Sequence, residues 1–329
     1  MTEKTIKAFV AEQNQKRLLT PGPAALCEAN VAGLAPFFGR GDAAYDMLET
    51  EVLDNLKKLS GHVHVARFQG SATLAIEVAV RNFFGGRVVV INSGYYAERL
   101  WSFCETLKAV GRIDHLDVTS VNNIGEIHGT YDWVAACYVE TSCALKLDID
   151  ALHSLKTRTG AKLFLDATAS IGLEDKHDLA DVIAYSSCKG LFGLTGACFV
   201  AFNDMPETQE TSFYLNLYTH LEKKTTGPYH ILGSMRGILR DYAAYRQAVL
   251  NNKAAFMKGF ADYLTLPTYQ QPLLCTHIAC HLEVEEGDYV FYTPRSPLRG
   301  SIICHLGEVH LKDKAQGDIF QGLKIVPLV

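Results

Sequence analysis

Short apolar runs alternate with helical stretches over the first two hundred residues, and this alternation restricts the chain more than any other feature. Asp42 is placed to cap a helix whose apolar residues Tyr45, Leu48, Val52, Leu56 and Leu59 recur every third or fourth position until Gly61 stops it. Residues 62–68 alternate in the manner of a strand. The turn Gln69-Gly70-Ser71-Ala72-Thr73 then leads into helix over 74–84, ended by Gly85-Gly86. Val88-Val89-Val90-Ile91 is all apolar, the pattern of a strand buried on both faces. Helix is expected over 96–110 and 149–157, and strands over 113–118, 133–139, 162–165, 182–186 and 198–202. About seven strands separated by helices imply an α/β fold with a mostly parallel sheet sandwiched by helices. Such sheets bind ligands beyond the carboxyl ends of their strands. The residues that follow each strand therefore carry the functional information.

The pattern changes after residue 235. A long helix is expected over 235–264, strands over 273–284, 289–292 and 301–306, and helix near 312–323. With 329 residues the chain has room for two domains. The expected division is a large domain over 1–234 and a smaller α+β domain over 235–329. No Pro/Gly/Ser linker separates them, so the long helix is expected to join them.

Composition excludes several functions. Lys+Arg total 31 and Asp+Glu 36, a net charge of −5, which argues against nucleic-acid binding and against adhesion to anionic membranes. The nine cysteines are odd in number and contain no C-x-x-C pair, so neither a disulfide framework nor a zinc ribbon is expected. Reduced cysteines, the absence of a signal-like start and the absence of a long apolar run fit a cytoplasmic protein.

Five segments follow strands. Gly70-Ser71-Ala72-Thr73 opens a helix with small residues, which allows backbone N–H groups and hydroxyls to approach a phosphate. Taken alone it is ordinary turn chemistry. Asn92-Ser93-Gly94-Tyr95-Tyr96 brings aromatics to a second strand end. Glu140-Thr141-Ser142 follows a third strand. Asp166 ends a fourth, where an acid is costly to bury unless paired, or else caps a helix. Lys189 follows Ser186-Ser187-Cys188 at the end of a fifth, where partial desolvation makes a nucleophilic amine, or else the lysine is an ordinary snorkelling one. One cofactor uses all these parts. Pyridoxal 5′-phosphate needs a lysine for a Schiff base, a carboxylate for its pyridine nitrogen, a flat face to stack on and an anion cradle.

The motif set resembles the class V aminotransferases among the fold-type I pyridoxal-phosphate enzymes, and within them the 2-aminoethylphosphonate branch, with the alanine:glyoxylate branch as a relative. It is carried by Leu19-Thr20-Pro21-Gly22-Pro23, the 69–73 turn, Asn92 to Arg99, Glu140-Thr141-Ser142, Leu165 to Ser170 and Ser186 to Lys189. Leu215 to Tyr218, Thr226 to His230 and Leu306-Gly307-Glu308-Val309 match in the same order. The resemblance implies that Lys189 is the Schiff-base lysine and proton shuttle and that Asp166 is its catalytic partner at the ring nitrogen. It implies Tyr96 and Thr168 on opposite faces of the ring, and Ser71, Ala72 and Thr73 on the phosphate. Thr141 or Ser142 falls on the 3′-hydroxyl side. Thr225 and Thr226 fall in the segment that reaches a neighbouring subunit's phosphate site, which implies a homodimer with shared sites.

Two positions depart from the pattern. Cys188 stands where an amide precedes the lysine, with Ser187 as the expected substitute. Ile302 stands where an arginine clamps the substrate's anion, leaving Arg299 first and Arg295 second as replacements. The expected reaction moves an amino group between a small amine, 2-aminoethylphosphonate-like or alanine-like, and an oxo acid or aldehyde. A lyase or cysteine desulfurase on the same fold is the alternative, and a non-catalytic scaffold the third. A desulfurase is disfavoured because Cys275, Cys280 and Cys304 lie in strand-like runs.

Overall fold

The computed structural model describes residues 5–39, 41–207, 210–222, 225–285, 287–306 and 322–328. All seven expected strands of the first two hundred residues form one sheet: β1 (His64–Gln69), β2 (Gly86–Asn92), β3 (Ile113–Ser120), β4 (Trp133–Cys137), β5 (Lys162–Asp166), β6 (Val182–Ser186) and β7 (Ala197–Phe202). Their order across the sheet is β1-β7-β6-β5-β4-β2-β3. Only β7 runs against its neighbours β1 and β6, while the pairs from β6 to β3 are parallel. Strands β4, β6 and β7 are buried along their whole length, which explains their unbroken apolar character. Edge strand β3 carries exposed Asp114 and His115 instead, a composition that discourages edge-to-edge pairing.

Alternate residues of each strand feed two cores. Val89, Ile91, Leu163 and Leu165 pack with Leu48, Val52 and Leu56 of α1 (Ala43–Ser60) and with Leu152 and Leu155. Val88, Val90, Phe164 and Val200 pack on the other side with Ala75, Ile76 and Ala79 of α2 (Ala72–Phe83) and Leu100 and Cys104 of α3 (Tyr95–Ala109). Each Val, Leu, Ile and Phe among them contributes about 1.5–3 kcal/mol when fully buried. Asp42 accepts hydrogen bonds from the Ala44 and Tyr45 amides, and Gly61 closes α1 in the left-handed region at φ 74°, as their sequence positions predict. Helix α4 (Ile149–Thr159) has the same start and stop in Asp148 and Gly160.

The later chain departs from expectation in three places. The single helix over 235–264 is two helices, α5 (Tyr229–Arg240) and α6 (Tyr242–Gly259), broken at Asp241. Half-buried Tyr242 sits at the break, where its hydroxyl donates to the Gly190 carbonyl at 2.5 Å and its ring lies against Phe192. Helix α5 crosses position 234 and packs Leu232, Met235 and Leu239 into the core on the α1 side. The expected strand over 273–284 divides at Ala279. Cys275–Ile278 pairs with Ser301–Cys304, and Cys280–Val284 with Leu323–Pro327. Leu323 therefore opens a strand where helix was expected, while 312–321 lie outside the described residues. The strand at 133–139 is also shorter than expected, ending at Cys137, and Val139–Glu140 pairs with Leu145–Lys146. Tyr289–Phe291 runs parallel to Arg17–Leu19, which ties the N-terminal segment to the later chain. Among the described residues no helix is long and apolar enough to cross a membrane.

Candidate active site

Strands β1, β2, β4, β5 and β6 all point the same way, so the segments after them meet at one edge. There Tyr96, Arg99, Thr141, Asp166, Thr168 and Lys189 line one small cavity. Five of these six were singled out by sequence. A larger groove along the start of α4, between Asn122 and Tyr269, contains none of them.

Asp166 is 2% exposed at the last position of β5. No helix follows it, so it is not a helix cap. Its Oδ1 accepts from the Thr168 amide at 3.0 Å and from the Thr168 hydroxyl, while Oδ2 lies 3.8 Å from Arg99 Nη2. A buried carboxylate is tolerated with donors and a cation so placed. The Lys189 ammonium lies 5.7 Å from the centre of the Tyr96 ring. Its side chain passes Gly22, where a Cβ would meet the Cys188 carbonyl at 2.9 Å and Lys189 Cγ at 3.0 Å. Gly22 also has φ 145°, so the Thr20-Pro21-Gly22-Pro23 segment fits against the lysine only with glycine there.

Tyr96 is held by a residue that sequence reasoning quoted without giving it a role. Glu140 is fully buried, and its Oε2 accepts from the Tyr96 and Ala97 amides at 3.0 and 3.2 Å. Its Oε1 accepts from the Ser142 amide at 3.1 Å and the Ser142 hydroxyl at 2.5 Å. Burial raises the Glu140 pKa, and these four hydrogen bonds oppose the rise. Glu140 thus caps the start of α3 from another strand. Arg99 was also missed, although its place one turn after Tyr96 puts both on one face of α3. Tyr292 was missed as well. Its hydroxyl is buried beside those of Thr141 and Tyr96, and its pKa is raised by burial first and by Tyr96 second. Its only sequence signal is a tyrosine next to a short strand.

The remaining expected residues are placed as follows. Ser71 is the exposed N-cap of α2, Ala72 is buried behind it, and the Thr73 hydroxyl accepts from Arg99 Nη1 at 3.1 Å. Thr141 is 1% exposed, and its hydroxyl lies beside that of Tyr292. The Ser142 hydroxyl is taken by Glu140. The Ser187 hydroxyl donates to the Leu194 carbonyl at 2.5 Å and is not brought to the cavity. Thr225 and Thr226 lie beside the end of β1, where the Thr225 carbonyl accepts from Arg67 at 3.1 Å; Thr226 is exposed. Ile302 is 1% exposed and packs beside Cys304 and Leu306, while the side chains of Arg295 and Arg299 are exposed. Residues 307–309 of the last motif lie outside the described residues.

The same sheet and its helices are found in solved aminotransferase structures. Alanine–glyoxylate aminotransferase from Nostoc sp. superposes with a TM-score of 0.75 at 17% identity, over 93% of this chain and 96% of that one. The aspartate aminotransferase of subgroup IV from Thermus thermophilus does so with a TM-score of 0.73 at 20% identity, over 92% and 99%. In sequence the chain is 28% identical over 326 residues to 2-aminoethylphosphonate–pyruvate transaminase 2 of Paraburkholderia xenovorans strain LB400, covering 85% of this chain and 88% of that protein. The 2-aminoethylphosphonate–pyruvate transaminase of Paraburkholderia phymatum is 26% identical over 329 residues, covering 85% of this chain and 88% of that protein. No protein-family model matches it.

Proposed function

We infer that this chain is an aminotransferase that uses pyridoxal 5′-phosphate and moves an amino group between a small amine and an oxo acid or aldehyde. The observation that carries this reading is the meeting of Lys189, Asp166, Tyr96 and Thr168 in one cavity. The residues present fit the cofactor. Two buried hydroxyls at the site, on Thr141 and Tyr292, have unmet hydrogen-bonding capacity, and the α2 N-terminus points its first amides at the same edge. When bound, the cofactor supplies an aldehyde that takes up amino groups and a ring that withdraws electrons.

Lys189 would hold the aldehyde carbon and carry a proton to and from the reacting carbon. Asp166 would accept a hydrogen bond from the ring nitrogen at Oδ2 and keep that nitrogen protonated, since Thr168 fixes Oδ1. Tyr96 would stack on one face of the ring and Thr168 would close the other. The first turn of α2, with Ser71, Ala72 and Thr73, would take the phosphate, and Thr141 the 3′-hydroxyl side. Thr225 and exposed Thr226 would complete the site of a second copy, making the active unit a homodimer. Residues 1–234 would act as the cofactor-binding part and 235–329 as a smaller domain over the substrate. The relatives' names support a 2-aminoethylphosphonate-like donor and the neighbours' an alanine-like one, with Arg299 or Arg295 taking the anionic group. The desulfurase alternative is weakened, because Cys275, Cys280 and Cys304 are buried in strands and burial drives the Cys304 thiol well up.

Lys189→Ala is expected to abolish turnover by at least about 1,000-fold, as removal of an essential covalent and proton-carrying group does. Borohydride reduction of the loaded wild-type chain, followed by peptide mapping, is expected to label Lys189. Label on any other lysine would overturn the assignment. A panel of amines, with aminoethylphosphonate and alanine among them, would then identify the donor.

A further inference from the structure

Arg99 has no role in the reading above, yet it lies at the centre of the site. Its Cζ stands 4.9 Å from the centre of the Tyr96 ring, and Nη1 donates to the Thr73 hydroxyl at 3.1 Å. Nη2 is 3.8 Å from Asp166 Oδ2, and Nε is buried without a hydrogen-bond partner. The guanidinium therefore spans from the first turn of α2 to the end of β5. An arginine kept for an ion pair would face its carboxylate through two parallel hydrogen bonds. Here the approach to Asp166 is longer than a hydrogen bond, and Thr168 already holds the other oxygen. Donor capacity is left over, and it lies beside the helix end to which an anion is drawn.

Resting on the aminotransferase reading, we propose that Arg99 is the side-chain cation that binds the phosphate of the cofactor. Charge and donor accounting carries the argument. A phosphate monoester brings a charge of about −1.5 to −2 near neutral pH, and a helix N-terminus answers with roughly half a positive charge. Arg99 and Lys189 are the cations lining the cavity among the described residues, and the lysine amine is needed for the aldehyde. Cys188 offers only a weak donor, and the Ser187 hydroxyl is bound to the Leu194 carbonyl. Arg99 is already docked on Thr73 at the start of α2. Tyr96 beneath it and Asp166 beside it hold the guanidinium there by cation–π and charge interactions. Its planar fork suits a phosphate in a way that a lysine does not.

The full-length chain can be titrated with pyridoxal 5′-phosphate and, separately, with pyridoxal, which has the same ring and aldehyde but no phosphate. Binding is followed by quenching of intrinsic fluorescence. Arg99→Gln is expected to weaken pyridoxal 5′-phosphate by about 10- to 100-fold and pyridoxal by less than about 3-fold, the signature of a lost charged hydrogen bond. Arg99→Lys, which keeps the charge without the fork, should fall between. Unchanged affinity for the phosphorylated ligand would overturn the proposal. So would equal losses for both ligands, which would make Arg99 a packing residue. Should Arg99→Gln fail to fold, Arg99→Lys carries the same comparison with the same two outcomes. A wild-type chain that binds neither ligand would overturn the aminotransferase reading and this inference with it. Wild-type binding of both, with no selective loss in the variants, overturns this inference alone.

Discussion

Asp166 shows how a single carboxylate acquires a task from its surroundings. Its two oxygens are not equivalent. One is held by the amide and hydroxyl of Thr168, and the other faces Arg99 across 3.8 Å. Asp166→Asn keeps the shape but presents a neutral amide to the ring nitrogen. We expect that variant to retain cofactor, seen as an unchanged absorbance band, and to lose about 100-fold or more in turnover, the scale of losing one preorganised electrostatic partner. Near wild-type turnover would make Asp166 a structural residue. The substrate's anion poses a related question, because buried Ile302 cannot meet it. Arg299→Ala is expected to raise KM for an anionic amine by roughly 10-fold or more, the loss of one charge-assisted contact, with little change in cofactor affinity. Steady-state kinetics checks this, and an unchanged KM in both Arg299→Ala and Arg295→Ala would remove the two exposed arginines from the substrate site.

At the scale of elements, helix α3 is the part on which the site depends most. It carries Tyr96 and Arg99 on one face, and Glu140 clamps its first turn. All four groups around Glu140 are donors: the Tyr96, Ala97 and Ser142 amides and the Ser142 hydroxyl. Glu140→Gln would turn an NH2 group toward some of them, and a buried donor would be left unsatisfied. The expected cost is about 1–3 kcal/mol of stability. It should appear as a lowered urea midpoint accompanied by weaker cofactor binding, because the cap and the stacking ring move together. A variant that melts early but binds cofactor normally would separate the two effects and show that α3 keeps its register without the cap.

For the molecule as a whole, acid is the condition to which the fold is most exposed. His177 accepts from or donates to the Ser170 hydroxyl at 2.9 Å, and His305 bears the same relation to Thr276 at 3.0 Å. Burial, the largest cause in both, lowers their pKa values to about 4 and about 3, against 6.5 ordinarily. Between those values and about 6.5 the unfolded chain binds more protons than the folded one. Stability therefore rises with pH through that window and is lost as pH falls. At most, His177 accounts for roughly 3 kcal/mol and His305 for roughly 5 kcal/mol, taking about 1.4 kcal/mol per pH unit. Urea midpoints should drop steadily from pH 6.5 to 4, and the slope should flatten in His177→Asn and His305→Gln. An unchanged slope in both variants would place the acid sensitivity in other groups, among them His62 and His220, whose pKa values burial also lowers.

The seven-stranded sheet was legible in the sequence for a physical reason. A strand buried on both faces must be apolar throughout, and a crossover helix must carry an apolar stripe with a cap at each end. Val88 to Ile91, Asp42 and Gly61 bear those marks. Lys189, Asp166 and Tyr96 were expected at one edge for a related reason, because parallel strands bring their carboxyl ends together whatever the loops do, whereas Thr168 entered only through the motif resemblance. The rest depended on contacts between residues far apart in the chain. Periodicity runs on through Asp241, and the bond from Tyr242 to the Gly190 carbonyl at the break between α5 and α6 is a contact no local pattern shows. A glutamate after a strand carries no sign that it will cap a helix begun more than forty residues earlier. Arg99 lay in a recognised motif, but its direction depends on where Thr73, Tyr96 and Asp166 come to rest. Local patterns are set by neighbours within a few residues and so by sequence alone. The reach of a buried polar side chain is set by whichever partner the tertiary fold delivers, because burial makes the lack of any partner too costly.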